Sequence, residues 1–354
     1  MSFPHLQSEV YFPDSLIESL EELLQGYPED KVFVVTENNT ERLCWPLLAS
    51  NSVLNKLPRL VIGTGEESKS TDTLIQVWQF LSDNGADRKS LVINVGGGML
   101  TDLCGFAAST YKRGMHFVNI PTTLLSQVDA SVGGKTGINF NGFKNEVGTF
   151  ALPQKVYINT EFLKTIGEEN NKSGFAEMVK HGLIWDANHF EDLKKFDLDK
   201  MNLNELKDLI ARSVVIKEHF VLNDPTEKGI RKALNFGHTA GHAFESYAMK
   251  KQKPMLHGYA VALGVIVELY LSCRKLNLKE TIVKEVAVWL IDIYGKFEID
   301  TDDFQPLYQL MTHDKKNEGK RINFTLIPEI GKFEIDINCG REEIFEALDF
   351  YRTL

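Results

Sequence analysis

Short β-branched runs alternate with amphipathic helical stretches through the first half of the chain, a pattern that predicts parallel strands joined by crossover helices. KVFVVT (31–36), RLVIGT (59–64), SLVINV (90–95), HFVNIP (116–121) and KVYINT (155–160) are the predicted strands, with STDTLIQVWQFLSDNG and TDLCGFAASTYKRG as helices between them. From about residue 170 the apolar spacing becomes helical, as in ELKDLIARSVVIKEHFVLND and ETIVKEVAVWLIDIYGKF. RINFTLIPEIGKFEIDI predicts two short strands before a last helix, REEIFEALDFY. The polar stretch EENNKSG reads as a loop, and the boundary between the two halves is expected near 160–172. The expected fold is therefore α/β, with a parallel-sheet domain over 1–168 and a mainly helical domain over 169–354.

Charge narrows the partners. A net charge of -10, from 39 basic and 49 acidic residues, argues against nonspecific attraction to nucleic acid or to a membrane surface. An anionic ligand would need a local cationic cluster. The four cysteines are scattered without a CxxC pair, which points to reduced thiols in a cytoplasmic protein. The most apolar run, AVALGVIVELYLS, is broken by Glu268 and is too short to span a bilayer. The first residues, MSFPHLQSEVYFPDS, lack the basic and apolar regions of a secretory signal.

Three clusters carry candidate chemistry. GGGMLTDLCGF follows the strand at 90–95, so glycines stand at the mouth of a helix, where backbone amides favour a pyrophosphate. The third glycine of the dinucleotide fingerprint is replaced by Thr101, and a plain glycine turn is the alternative. GTGEESKS places Glu66 and Lys69 after another strand, and Glu37 ends the first strand. A carboxylate there suits ribose hydroxyls and repels a 2'-phosphate, favouring NAD over NADP, unless Glu37 is only a solvated loop charge.

The second cluster, PTTLLSQVDASVGGKTGINFNGFKNEVG, gathers Thr122, Thr123, Asp129, Lys135, Lys144 and Asn145 among glycines and suits a bound phosphate, with a solvated loop as the alternative. The third surrounds histidines. His238 and His242 lie four residues apart, and His257 opens HGYAVALG. Helical spacing alone pairs His238 with His242 on one metal, against ordinary core or surface histidines as the alternative. Lys217, Glu227, Arg231 and Asn235 precede them, and DKKN at 314–317 adds cations.

GEESK, GGGMLTDLCGF, YKRG, PTTLLSQVDASVGGKTGIN, GFKNEVG, GFAEMVKHG, LNFGHTAGHAFE, LHGYAVALG and MTHDKKN occur in an order that closely resembles the 3-dehydroquinate synthase family. The resemblance spans roughly residues 30–330 and extends to the sugar-phosphate cyclases and, more remotely, the glycerol dehydrogenases. It implies a Rossmann-like NAD domain followed by a helical metal- and substrate-binding domain. It implies conversion of 3-deoxy-D-arabino-heptulosonate 7-phosphate to 3-dehydroquinate and phosphate, with NAD recycled and a divalent metal, zinc or cobalt. Another sugar-phosphate cyclase and a metal-dependent polyol dehydrogenase are the competing activities.

Carried over residue by residue, the resemblance makes Glu177, His238 and His257 the metal ligands and sets His242 beside the substrate. This replaces the pairing that spacing alone suggests. Lys217 and Arg231 would meet the substrate carboxylate, and Asp129, Lys180, Glu227 and Asn235 the ring hydroxyls. Lys135, Asn145, Arg113 and one of Lys315 and Lys316 would meet the phosphate, with Arg113 reaching across a homodimer interface. Glu37, Glu66, Lys69, Gly97, Gly98, Asp102, Thr122, Thr123 and Lys144 would contact NAD. Thr101 and Tyr259 depart from the family's usual residues, which bears on cofactor affinity and on the surroundings of the metal.

Overall fold

The computed structural model describes residues 9–141, 143–312 and 322–354. The chain divides into two compact units, Met1–Gly167 and Glu168–Leu354.

In the first unit, strands β1 (Glu9–Tyr11), β2 (Val32–Glu37), β3 (Arg59–Ile62), β4 (Leu91–Gly96), β5 (His116–Pro121) and β8 (Lys155–Tyr157) form one sheet in the order β1-β8-β5-β4-β2-β3. Every pairing is parallel. Helices α1 (Leu16–Leu24), α2 (Asn38–Leu43), α3 (Trp45–Ala49), α4 (Ser52–Lys56), α5 (Thr71–Asp83) and α6 (Gly98–Thr110) connect and cover these strands. Side chains alternate across a strand, so Val32 and Val34 pack with Leu16, Leu20 and Trp45, while Phe33 and Val35 pack with Leu74, Val77, Leu100 and Leu103. Burial on both faces explains why β2 and β4 read as largely apolar runs without alternation.

The sequence pattern misses two parts of this unit. Strand β1 is a three-residue edge strand, too short to show a period, and it pairs with β8. The segment after β5, read from sequence as a phosphate-binding cluster with a solvated loop as the alternative and given no secondary structure, forms a single π-helical turn, Ser126–Ala130, and an antiparallel hairpin of β6 (Lys135–Phe140) and β7 (Phe143–Phe150). Gly137 opposes Gly148 in that hairpin, where a Cβ on Gly148 would lie 2.1 Å from the Thr136 carbonyl oxygen. Glycine is required there for close approach of the strands.

The second unit contains α7 (Glu168–Trp185), α8 (Ala187–Lys195), α9 (Leu203–Asn223), α10 (His238–Lys250), α11 (His257–Leu276), α12 (Glu280–Tyr294), α13 (Phe304–Thr312) and α14 (Arg341–Thr353). A hairpin of β9 (Ile322–Leu326) and β10 (Glu334–Cys339) precedes the last helix. EENNKSG is not a loop but the start of α7. Glu168 and Glu169 suit the positive helix terminus, Glu168 pairs with Lys172 one turn on, and Asn171, Ser173 and Gly174 are buried small or polar residues that hydropathy undervalues.

Two backbone-to-backbone contacts position α11. A Cβ on Gly264 would lie 2.0 Å from the Gly237 oxygen and 2.5 Å from the Gly241 nitrogen. Ala260 lies against Gly241, so α10 and α11 run antiparallel. At the start of α11, a Cβ on Gly258 would lie 1.9 Å from the Ser173 oxygen of α7. The N-termini of α10 and α11 are thereby held against α7. Among the described residues, no helix is long and apolar enough to cross a membrane.

Candidate functional site

Glu177 projects from the middle of α7, and His238 and His257 are the first residues of α10 and α11. Glu177 Oε1 is buried, has no hydrogen-bond donor and lies 3.5 Å from both His238 Nε2 and His257 Nε2. Its other oxygen pairs with Lys180, one helical turn along α7 and equally buried. His238 Nδ1 lies 3.2 Å from the Phe236 carbonyl, which can only accept, so Nδ1 carries the proton and Nε2 offers a lone pair. His257 Nδ1 lies 3.3 Å from Glu245 Oε2. Both rings therefore present Nε2 to the same carboxylate oxygen.

His242 belongs to this cluster as well. Its ring centroid is 5.4 Å from that of His238 and 5.8 Å from that of His257. One nitrogen from each of the three histidines lies within 4.8 Å of the other two. The helical spacing of His238 and His242 thus does bring them together, but His257 and Glu177 arrive from other helices.

The electrostatics follow from burial among these charges. Burial alone would raise the Glu177 carboxyl, yet Lys180, His238 and His257 hold it well below the usual carboxylate range. Burial drives the His238 imidazole well below the usual range, against the pull of Glu177. For His257 burial acts in the same direction, but the carboxylates of Glu177 and Glu245 outweigh it and raise the imidazole to about 10. A carboxylate oxygen and two imidazole nitrogens are the donor types of a catalytic zinc-like centre. The donorless Glu177 Oε1 fits a cation better than it fits an apolar core.

The other predicted residues of this unit gather on α7, α9 and the 3-10 turn Ile230–Asn235, which pack on one another. Lys180, Lys217 and Arg231 are all buried cations. Arg231 donates from Nη1 to the Pro225 carbonyl at 3.0 Å, and Asn235 donates from Nδ2 to Glu227 Oε1 at 2.8 Å. Glu227 has a left-handed backbone, φ 57°, in the turn that Asp224 closes by accepting from the Lys228, Gly229 and Arg231 amides. Lys315 and Lys316 lie outside the described residues.

In the first unit, the residues expected at a nucleotide stand at the carboxyl ends of the strands, where open parallel sheets bind ligands. Gly97 and Gly98 follow β4, Thr122 and Thr123 follow β5, and Glu66 and Lys69 follow β3. Gly97 is the N-cap of α6 and contributes no side chain, and a Cβ on Gly98 would lie 2.9 Å from the Ala130 Cβ. Thr122 Oγ1 is buried without a hydrogen-bond partner. Lys69 donates to Asp102 Oδ2 at 2.6 Å and to Asn145 Oδ1, while Asn139 donates to Glu66 Oε1 at 2.8 Å. The loop after β3, helix α6 and the hairpin are thus tied into one polar network.

Glu37 is buried and is no solvated loop charge. Its carboxylate accepts from the Asn39 amide at 2.9 Å and the Thr40 amide at 2.8 Å, capping α2. Asp129 sits in the π-helical turn, Lys135 opens β6, and Lys144 and Asn145 are near the start of β7. Arg113 is exposed in a left-handed turn, φ 68°, after α6. Thr101, which stands where a fingerprint glycine was expected, is buried and donates from Oγ1 to the Gly98 carbonyl at 3.2 Å. Tyr259 packs edge-on against Tyr294 at 5.2 Å.

Sequence reasoning passed over Glu245 and Glu268. Glu245 stands three residues after His242, on the same helical face, and Glu268 is the one charge inside an apolar run. Both signals are visible in the sequence, but only the contacts assign them partners.

Comparisons place this geometry in a family. The 3-dehydroquinate synthase N-terminal family matches residues 59–173, and the 3-dehydroquinate synthase C-terminal family matches residues 174–317. A 3-dehydroquinate synthase of Parabacteroides distasonis is 47% identical over 346 residues, covering 98% of each chain. One of Clostridium tetani is 36% identical, covering 96% of this chain and 88% of that protein. The 2-epi-5-epi-valiolone synthase of Streptomyces hygroscopicus subsp. jinggangensis, solved with NAD+ and Zn2+ bound, superposes with a TM-score of 0.86 at 23% identity, covering 100% of this chain and 99% of the other. A 2-deoxy-scyllo-inosose synthase solved with carbaglucose-6-phosphate, NAD+ and Co2+ gives 0.82 at 23% identity, covering 96% and 95%. At that identity the structures establish the fold, an N-terminal Rossmann-like domain and a helical C-terminal domain. The sequence matches go further: this chain belongs to the 3-dehydroquinate synthase family.

Proposed function

We propose that the chain is a 3-dehydroquinate synthase, a carbon–oxygen lyase that converts 3-deoxy-D-arabino-heptulosonate 7-phosphate to 3-dehydroquinate and phosphate. The observation that carries this reading is Glu177 Oε1, buried without a donor and 3.5 Å from Nε2 of both His238 and His257. Glu177, His238 and His257 would hold zinc or cobalt, and residues 1–168 would hold NAD. When bound, the metal would polarise the oxygen at the carbon being oxidised, and NAD would accept a hydride there and return it later.

The protein's own groups have distinct tasks in this reading. Lys180 neutralises one oxygen of Glu177 and leaves the other to the metal. The Phe236 carbonyl and Glu245 fix the two rings by their Nδ1 atoms. Lys217 and Arg231, two buried cationic side chains, bind the substrate carboxylate. Asp129, Lys180, Glu227 and Asn235 orient the ring hydroxyls, and His242 sits beside the substrate. Lys135, Asn145, Arg113 and one of Lys315 and Lys316 bind the phosphate that departs. Glu37, Glu66, Lys69, Gly97, Gly98, Asp102, Thr122, Thr123 and Lys144 hold NAD, supported by the buried Thr122 hydroxyl, which has no hydrogen-bond partner among the described residues, and by the side-chain-free N-cap at Gly97.

The four cysteines are free, which supports a cytoplasmic setting. Homodimerisation belongs to the same reading and is tested by light scattering. The activity itself is tested by incubating the metal-loaded protein with NAD and the heptulosonate phosphate. Phosphate release with formation of dehydroquinate is expected. Release from another sugar phosphate alone would indicate a different cyclase, and oxidation of an unphosphorylated polyol with net NADH would indicate a dehydrogenase.

A further inference from the structure

We propose that Glu268 is a positioning residue for the metal centre, holding the first turn of α10, and with it His238, from within α11. The inference rests on the reading of Glu177, His238 and His257 as metal ligands. Glu268 is the only charge between Ala260 and Ser272 and is fully buried. Its Oε2 accepts from the Gly237 amide at 2.6 Å, and its Oε1 accepts from the Ala240 amide at 3.2 Å. Those amides belong to the N-terminus of α10, whose first helical residue is His238.

A helix usually supplies its own cap from Ser, Thr, Asp or Asn. Here the cap position is Gly237, with φ 80°, and a Cβ there would lie 2.5 Å from Val265 Cγ2 and 3.0 Å from the Val261 oxygen. The close packing of α10 on α11 therefore forbids a side-chain cap at Gly237. Glu268 provides the missing acceptors from the neighbouring helix, and its charge complements the positive end of α10.

The consequence reaches the candidate ligands because their other supports are independent of this contact. Glu177 is fixed by Lys180 on α7, and His257 by the seat of Gly258 on Ser173 of α7 and by Glu245, about two turns beyond Gly237 along α10. His238 depends on the first turn of α10 and on the Phe236 carbonyl two residues before it. Release of that turn moves His238 Nε2 relative to Glu177 Oε1 while leaving His257 in place. A buried carboxylate serving stability alone is commonly replaceable by an apolar group, whereas one that orients a ligand is not.

The test uses the full chain with Glu268→Gln and Glu268→Asp. Gln turns one of the two acceptors into a donor facing an amide, and Asp keeps the charge but draws it back. Zinc affinity is measured by competition with a chromophoric chelator, the cobalt form by its visible spectrum, and helix content by circular dichroism. Folded Glu268→Gln protein should bind zinc at least about tenfold more weakly and show an altered cobalt spectrum, with Asp intermediate. Wild-type affinity and spectrum in either folded variant would overturn the proposal. A measurement on the unmodified protein covers variants that do not fold: amide exchange at Gly237 and Ala240 should slow when zinc binds, by linkage, and equal exchange with and without zinc also overturns it. If His257→Ala keeps full zinc affinity while Glu268→Gln loses it, the assigned ligand set is wrong and the role of Glu268 stands.

Discussion

Glu245 Oε2 lies 3.3 Å from His257 Nδ1 while Glu177 Oε1 lies 3.5 Å from Nε2 of the same ring. The imidazole is held between two carboxylates from different helices, α10 and α7. Only Glu177 can act as a ligand in the proposed centre, and Glu245 orients the ring. Glu245→Ala should leave a folded protein that binds zinc about 10- to 100-fold more weakly, measured by chelator competition. Unchanged affinity would mean that Glu245 does not orient His257.

His257 and His242, neighbours in one histidine cluster, should behave differently. His257→Ala removes a proposed ligand, so the purified protein should contain far less than stoichiometric metal. His242→Ala should keep its metal and lose turnover by roughly 100-fold or more, the scale of a positioned acid or base. Metal analysis beside phosphate-release kinetics separates the two, and stoichiometric metal in His257→Ala would refute the ligand set.

A pH dependence is expected away from this centre. His189 is fully buried, with Nε2 2.8 Å from Ser213 Oγ. Burial, aided by Arg212 and only partly opposed by Asp186 and Asp192, pushes its imidazole down to about 4. The unfolded chain takes up that proton near the usual value of about 6.5, so it binds more protons than the folded chain between the two values. Stability from this residue is present above about 6.5 and is lost as pH falls toward about 4, by up to roughly 3 kcal/mol. Urea unfolding of the wild type and His189→Leu at pH 7.5 and 5 should show a smaller loss in the variant. An equal loss in both proteins would assign the acid sensitivity elsewhere.

Much of the first unit was legible because β2, β4 and β5 are buried on both faces and their apolar runs are long. The hairpin of β6 and β7 was not, since glycines interrupt it, its apolar residues Phe140, Phe143, Val147 and Phe150 are exposed beside polar ones, and its pairing depends on close strand approach at Gly137 and Gly148. EENNKSG concealed a helix for the related reason that small polar residues can be buried against a neighbouring helix. At the candidate site, spacing found His238 and His242 because they share one helix. Glu177 and His257 were beyond its reach, since they meet through the packing of Gly258 on Ser173 and of Gly264 on Gly237. Family resemblance named those residues, and the helix contacts supply the physical reason they converge.

Gly258 therefore offers a test of that packing. A Cβ in Gly258→Ala would meet the Ser173 oxygen at 1.9 Å, a backbone atom that cannot swing aside. The start of α11 must move away from α7, at a cost of about 1–3 kcal/mol or more. A lowered melting temperature and weakened zinc binding are expected together. Wild-type stability would show that the two helices are not in such close contact.

Cofactor choice supplies the last test, because Glu37 has two separable roles. Its carboxylate caps α2 through the Asn39 and Thr40 amides, and in the proposed function it also accepts from the adenosine ribose. Loss of the cap in Glu37→Ala should cost about 1 kcal/mol whether or not NAD is present. The ribose role predicts an additional effect seen only with nucleotide. Wild-type protein should be activated by NAD far better than by NADP, whose 2'-phosphate would face this buried carboxylate, and Glu37→Ala should narrow the gap. Recycling must hold in both proteins: dehydroquinate should greatly exceed the NAD supplied, since the hydride returns to the intermediate after phosphate has left. A substrate analogue with a phosphonate in place of the phosphate cannot expel its anion and should stop with enzyme-bound NADH. Equal activation of the wild type by NAD and NADP would remove the ribose role and leave only the cap. Free NADH accumulating in proportion to product with the true substrate would instead overturn the synthase reading.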